Sequence, residues 1–425
     1  MRHERLLGAV TKGSVAAFFI LSLSLAACGG SGGGSASGGV IELATDLPVS
    51  GTDAAQGLPT QYGVDLAVQQ NQNLGNGYTL QVVHKNDEGS SGADPTVGAS
   101  NIRALLADQK VMAVVGPFNS GVAVAEIPVA NTGGLVLMSP TNTNPGLTIE
   151  QYAQSNGINF SQLHPQGAKE FYFRVCATDN VQGKVDAQIA SSAPISATTA
   201  FVVDDSTTYG KGLANFFIQN FQSSGGTIVG QQEISASQVS SLNSLATTIA
   251  NKNPGVVFYG GVTSQGGGAL KKDLVQVGYT KPMVGGDGIA DDPSWLQTAG
   301  AQAAVGTYGT VAAPDTSSLT SSDAQKFKSD YNTFVAGKAD AALLPYSAQA
   351  YAAATIEINA IKSVIASGKA PTRDAVRAAI ASGTFNTIIG SISFDQNGDN
   401  AGQKVFSIYT VDSSGKWVFD KSVTA

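Results

Sequence analysis

The sequence predicts an α/β protein of two domains, each built on a parallel sheet with helices on both faces. Three observations lead there. Short apolar runs alternate with helical patterns of about 10–15 residues, the pattern of a parallel sheet buried on both sides. The chain has 425 residues, room for two full cores at roughly 150 residues per domain. Polar clusters follow the apolar strands in both halves, at the carboxyl edge where open parallel sheets bind ligands.

The elements begin at residue 40. A strand over 41–45 leads into a loop over 47–57. A helix over 59–72 places Tyr62, Leu66 and Val68 or Gln69 at core-facing spacing. A strand follows at 78–84. Asp94-Pro95 then reads as an N-cap with proline in the first turn, opening a helix to 108. Strands over 111–115 and 135–138 flank a Gly116-Pro117 turn and a short helix, and the polar run Ser139 to Asn144 follows. Residues 146–167 show no clear period and are expected to form an irregular surface excursion.

A second strand–helix series starts at 171–175. Its helices are expected at 179–190, 211–222, 242–251 and 268–277, and its strands at 200–204, 227–234, 256–259 and 282–284. Polar loops at 204–209, 260–265 and 285–291 close those strands. Helices over 324–334, 346–365 and 372–381 come next. Having no sheet of their own, they are expected to return onto the first domain. Strands over 386–394 and 405–411 flank the turn Asp395 to Asp399, and a last hairpin containing Trp417 suits either sheet.

Residues 1–27 read as a secretory signal: Arg2, Arg5 and Lys12 precede an apolar stretch over 15–25, too short for an ordinary membrane span. The segment ends in Leu25-Ala26-Ala27-Cys28, which resembles the lipobox of bacterial lipoproteins, whose cysteine becomes the lipidated first residue. Residues 28–39 are then a Gly/Ser tether, a coil spanning about 20 Å at 5–6 Å × √n. With Cys28 lipidated, Cys176 has no intrachain partner, and its apolar surroundings suit a buried small hydrophobe. The formal net charge is −7 with a pI near 5.0. Removal of the signal, which carries three cations against Glu4, makes the balance −9. No basic stripe appears, which argues against a nucleic-acid surface.

Catalytic patterns are sparse. His3 falls in the signal, and His84 and His164 lack partners at zinc-ligand spacing. No Gly-x-Ser-x-Gly elbow or Walker loop is present, and Gly266-Gly267-Gly268 reads as a helix start. Asp395-x-Asn397-x-Asp399 departs from a calcium loop, with glycine at the fourth position and Phe406 in place of the closing glutamate, so a turn is the better reading. Ser120 is better placed: it sits at a helix start whose free N–H groups suit a carboxylate or phosphate. Thr141 and Thr143 lie on the neighbouring loop, and Asp287 stands alone among glycines at a strand end. Each also suits ordinary capping and turn chemistry.

Several short motifs occur in a specific order: Pro48-x-Ser50-Gly51, Val115-Gly116-Pro117 with Ser120, Ser139-Pro140-Thr141-Asn142-Thr143, and Arg174 with Asp179-x-x-Gln182-Gly183. Further along stand Asp205 to Tyr209-Gly210, Tyr259-Gly260-Gly261, Gly286-Asp287-Gly288 and Phe394-Asp395-x-x-Gly398-Asp399. Together they resemble the type I periplasmic binding proteins of the branched-chain amino acid (leucine/isoleucine/valine) family, receptors of ABC importers. The resemblance runs from about residue 41 to 411.

It implies two Rossmann-like lobes joined by three hinge crossovers near 176, 312 and 389, with lobe 1 at 40–176 and 313–389 and lobe 2 at 177–312 and 390–425. Ligand is held in the cleft by hinge closure. The resemblance gives Ser120 and Thr143 the ligand carboxylate, and the Thr141 carbonyl, Thr143 hydroxyl and Asp287 its ammonium. Tyr209 closes from the second lobe and Tyr346 forms a side-chain wall. Gln56 and Val262 replace aromatics common in the family, which opens the pocket to another amino acid, an amide, a urea-like compound or an aromatic acid. The expected protein is a monomeric, membrane-tethered solute receptor without cofactor or metal, partnered by an ABC permease. A ligand sensor for a signalling partner is the alternative, and a surface hydrolase using Ser120 is disfavoured because no histidine has reach.

Overall fold

The computed structural model describes residues 38–234, 238–239 and 242–425. The signal, Cys28 and nearly all of the tether lie outside them. From the amino end the chain forms β1 (Val40–Asp46), α1 (Ala54–Gln69), β2 (Asn73–Gly75) and β3 (Tyr78–Lys85). A tiny hairpin, β4 (Glu88–Gly89) and β5 (Gly92–Ala93), leads to α2 (Pro95–Ala107) and β6 (Val111–Val115). Then come α3 (Ser120–Gly133), β7 (Val136–Ser139), α4 (Glu150–Ala153), α5 (Phe160–Leu163) and β8 (Tyr172–Arg174). These strands make one sheet in the order β2-β3-β1-β6-β7-β8, parallel except for the β2–β3 pair.

The next stretch gives α6 (Asp179–Ser191), β9 (Thr199–Asp204), α7 (Thr208–Ser223), β10 (Thr227–Glu233), α8 (Asn243–Lys252) and β11 (Val256–Gly260). It continues through α9 (Gly267–Gln276), β12 (Met283–Gly285), α10 (Pro293–Ala299), α11 (Ala301–Ala304) and β13 (Thr307–Val311). Helices α12 (Ser322–Phe334), α13 (Pro345–Ala366) and α14 (Arg373–Ser382) follow, then the hairpin β14 (Thr384–Thr387) and β15 (Gly390–Ser393), and finally β16 (Val405–Val411) and β17 (Trp417–Thr424). The second sheet runs β10-β9-β11-β12-β13-β16-β17, parallel as far as β13 and antiparallel beyond it.

Strand alternation decides the layers, because successive side chains point to opposite faces. On one face of the first sheet Leu43, Val115 and Met138 pack with Ile358 and Ile361 of α13 and Val376 and Ile380 of α14. On the other, Ala44, Val114 and Leu137 meet Ile102 of α2 and Ile127 of α3. The second sheet does the same, with Val203, Val257 and Met283 against α8 and α9, and Val202, Phe258 and Val284 against α7. Gly63 of α1 lets the two helices α1 and α13 approach closely: a Cβ there would lie 2.2 Å from the Ser347 carbonyl oxygen of α13.

The three passages between sheets are bonded to one another. The Ala177 amide donates to the Ala312 carbonyl, the Arg174 amide to that of Gly398, and Asn400 Nδ2 to that of Val175. The two-lobed α/β class is thus borne out.

Several local expectations are corrected. Helix α1 begins at Ala54 rather than 59. A full turn precedes Pro59, closed on the Asp53 carbonyl, and the Thr60 hydroxyl bonds the Gln56 carbonyl, so the proline sits inside the helix. Residues 146–167 are no surface excursion: Leu147, Ala153, Ile158 and Leu163 belong to the first-lobe core. The strand at 171–175 is the edge of the first sheet, not the start of the second. The single strand over 386–394 is a separate two-stranded hairpin, with a turn at Ile388-Ile389. Strand β13, whose sequence Thr-Tyr-Gly-Thr-Val alternates weakly, and helix α10 escaped the sequence reading. The last hairpin joins the second sheet. Cys176 is buried, with Sγ 3.2 Å from the Asn142 carbonyl oxygen.

Candidate ligand-binding site

A cavity of about 430 Å³ opens between carboxyl-end loops of the two sheets. Its first-sheet wall comes from the loop after β6 and the start of α3, because Gly116-Pro117 ends the strand and Asn119 takes the position just before the helix. Asn119 makes no side-chain cap bond, so the first-turn amides of α3 remain for an anion. Phe118, Asn119, Ser120, Val122 and Ala125 line this side, together with Thr141, Ala93 and Pro95. Thr207, Thr208, Tyr209, Val262 and Asp287 line the other.

Most polar groups here are already held. The Thr141 hydroxyl donates to the Phe118 carbonyl at 2.6 Å, and Asn142 Nδ2 donates to the same oxygen at 2.7 Å, which fixes the two loops together. Ser120 Oγ accepts a long 3.5 Å bond from the Asn144 amide. Asp205 organises the opposite loop: it accepts from the Thr207 hydroxyl and from the amides of Thr207 and Val262. Burial pushes the Asp205 carboxyl up to about 6, against those same bonds.

Asp287 is the most elaborately held acid. Its Oδ1 accepts from Gln182 Nε2 at 2.8 Å and the Tyr209 hydroxyl at 3.0 Å, and its Oδ2 accepts from the Tyr346 hydroxyl at 2.8 Å. Burial raises its pKa, and the three donors oppose that rise. Tyr346 opens α13, which packs on the first sheet, so the Tyr346–Asp287 bond spans the cleft. Phe118 meets the Tyr346 ring edge to face, with centroids 5.9 Å apart. Asn144 Nδ2 to the Thr208 carbonyl and Gln265 Nε2 to that of Ser91 are further bonds between the lobes.

Of the residues expected at the site, Ser120, Thr141, Tyr209, Val262 and Asp287 share this cavity. Gln56 and Tyr346 meet Asp287 at a small side pocket instead. Thr143 does not line the cavity. It is buried, its carbonyl accepts the Asp179 amide at 2.8 Å, and its side chain lies beside the Asp179 carboxyl. The sequence reading missed Phe118, Asp53, Val122 and Ala125 as lining residues, and Gln182 as a holder of Asp287. Phe118 directly follows a strand-ending Gly-Pro, and Gln182 stands in Asp179-x-x-Gln182-Gly183, so both carried a signal. Neither His84, bonded to Thr45 Oγ1, nor His164, bonded to Glu170, lines the cavity.

Residues 41–416 match the family model described as "Periplasmic binding protein". Leu/Ile/Val-binding protein homolog 1 of Brucella melitensis is 28% identical over 383 residues, covering 86% of this chain and 89% of that protein. Leu/Ile/Val-binding protein BraC3 of Rhizobium johnstonii is 28% identical over 386 residues, covering 91% and 94%. Among solved structures, the leucine-binding protein LivK of Thermotoga maritima superposes with a TM-score of 0.74 at 23% identity, covering 90% of this chain and 98% of that one. LivJ of Streptococcus pneumoniae, solved with isoleucine, gives 0.72 at 24% identity, covering 91% and 99%. A solute-binding protein of R. palustris solved with benzoate gives 0.68 at 21%, covering 91% and 95%.

Proposed function

The chain belongs to the periplasmic binding protein family, and from that premise we propose that it captures an amino acid between its lobes and delivers it to an ABC permease. One juxtaposition carries the reading. The uncapped start of α3 at Ser120 and the buried carboxylate of Asp287 face one cavity from opposite lobes. A helix N-terminus favours a carboxylate, and a buried acid favours a cation, so the pair suits a zwitterion. The names of the curated relatives agree. Thr143 would act only after its hydroxyl turned from Asp179 toward the ligand.

The mechanism needs no covalent step. Ligand bridging the two walls would add contacts only in the closed arrangement, shifting the equilibrium by its differential affinity. A thermal-shift screen of the twenty amino acids tests this, since a ligand at 100 Kd should add about 2.7 kcal/mol. Silence from every amino acid would defeat the reading.

A second reading has its own observation. Asp287 already receives three neutral donors, and Phe118, Val122, Ala125, Pro95 and Val262 make the wall largely apolar. A carboxylic acid without an ammonium suits that lining, and an aromatic acid belongs in the same screen. The tether and Cys28 add the cellular setting: an exported protein held to a membrane by lipid. Cys28→Ala should release the protein from membranes into the medium or periplasm; unchanged membrane retention would sink that part.

A further inference from the structure

We propose that Asp46, Asp87 and Glu126 form a site for a hard divalent cation, calcium foremost, inside the first lobe and apart from the ligand cavity. Asp46 ends β1, Asp87 follows β3, and Glu126 lies midway along α3. The three carboxyl groups bring oxygens within 4.8 Å of one another, and all three residues are 0% exposed.

A second observation concerns what these oxygens lack. Both oxygens of Asp87, both of Glu126, and Oδ2 of Asp46 receive no hydrogen bond from a residue outside the cluster, within which the Asp46 and Glu126 carboxyls face each other. Only Asp46 Oδ1 has one, Asn101 Nδ2 at 2.9 Å. Ionised carboxylates are pure acceptors, and buried polar groups are nearly always partnered. One oxygen from each of the three carboxyl groups thus converges on a spot out of reach of solvent, an arrangement that suits a bound cation. Among the described residues no lysine or arginine forms an ion pair with any of the three. The neighbouring helix also makes room: a Cβ at Gly98 of α2 would lie 2.6 Å from Glu126 Oε1.

The chemistry selects the ion. Calcium takes oxygen ligands at about 2.3–2.6 Å, so two ligands of one ion are at most about 5 Å apart, and the observed spread fits. Carboxylates without histidine or thiolate favour calcium, magnesium or manganese over zinc. Magnesium gives up its waters reluctantly, so a site closed to solvent favours calcium. Bound there, the ion would tie β1 and the segment after β3 to α3, whose first turns line the cavity.

The competing arrangement is a cluster that shares protons instead. The test uses the mature chain, stripped with chelator. Calcium chloride, magnesium chloride and sodium chloride at matched ionic strength are added while the unfolding temperature is followed, and calcium binding is measured by calorimetry. The expected result is a saturable rise in Tm with calcium, one ion per chain, and little response to sodium. Glu126→Gln should keep the fold and lose the calcium shift. Absence of calcium heat in the wild-type chain would overturn the proposal, as would a calcium shift that survives in both Glu126→Gln and Asp87→Asn. Should either variant fail to fold, the wild-type calorimetry still decides.

Discussion

Arg174 Nε lies 2.6 Å from Asp399 Oδ1 in a pair almost wholly shut away from water. The remaining guanidinium donors reach the Asn142 and Asn144 carbonyls and the Thr148 hydroxyl, which also bonds Asp399. One side chain thus joins the end of β8, the loop after β7 and the third passage between lobes. Burial alone would lower the Arg174 pKa, but the Asp399 carboxylate carries it upward. Removing one partner leaves the other charge buried and uncompensated, which costs roughly 3–5 kcal/mol. Asp399→Ala should lose that much in urea unfolding, and Arg174→Lys should also destabilise, because an ammonium cannot make the same forked contacts. A loss below about 1 kcal/mol for Asp399→Ala would show that the pair is not holding the hinge.

Arg174 and Asp399 also mark where sequence reading stops. Both stood in recognisable motifs, yet 225 positions separate them, and no local pattern pairs them. Elements such as β6 and α2 were legible because a strand buried on both faces reads as a continuous apolar run and Asp94-Pro95 marks the helix start. Residues 146–167 were not, since their apolar residues enter the core from short helical turns. At the site, the strand-end positions of Ser120, Thr141 and Asp287 were readable. The donors that hold Asp287 come from three separate helices, and only the fold brings them together.

Asp287→Asn should separate the two ligand readings. If the ligand carries an ammonium, the variant loses a charge-assisted bond, and affinity should fall by roughly 1.5–3 kcal/mol. A ligand without one should lose markedly less than the ammonium-bearing one. Titration calorimetry with the best ligand from the screen and its desamino analogue reads both. Equal losses for the two would remove Asp287 from ammonium recognition.

Tyr346→Phe keeps the ring against Phe118 and deletes only the bond that spans the cleft. With the ligand absent, the lobes should then spend more time apart, and small-angle scattering should give a larger radius of gyration. Ligand affinity should fall by roughly 1.5–3 kcal/mol through the lost closure contact, whose acceptor is a carboxylate. A variant with unchanged scattering and unchanged affinity would show that Tyr346 is only a wall.

Glu357 makes stability depend on pH in a direction that can be worked out. It lies in α13 among core residues, is 0% exposed, and neither carboxyl oxygen has a partner. Burial alone raises its pKa well above the usual range. The folded chain therefore keeps this proton where the unfolded chain has released it. The contribution is fully present below the unfolded value, about 4.3, and is lost as pH rises toward the folded one, by up to about 1.4 kcal/mol per pH unit. Glu357→Gln removes that proton from the balance. The difference in unfolding free energy between variant and wild type should favour the variant increasingly from pH 5 to pH 8. A difference that stays flat across that interval, measured by urea unfolding at each pH, would mean that Glu357 is not buried as a neutral acid.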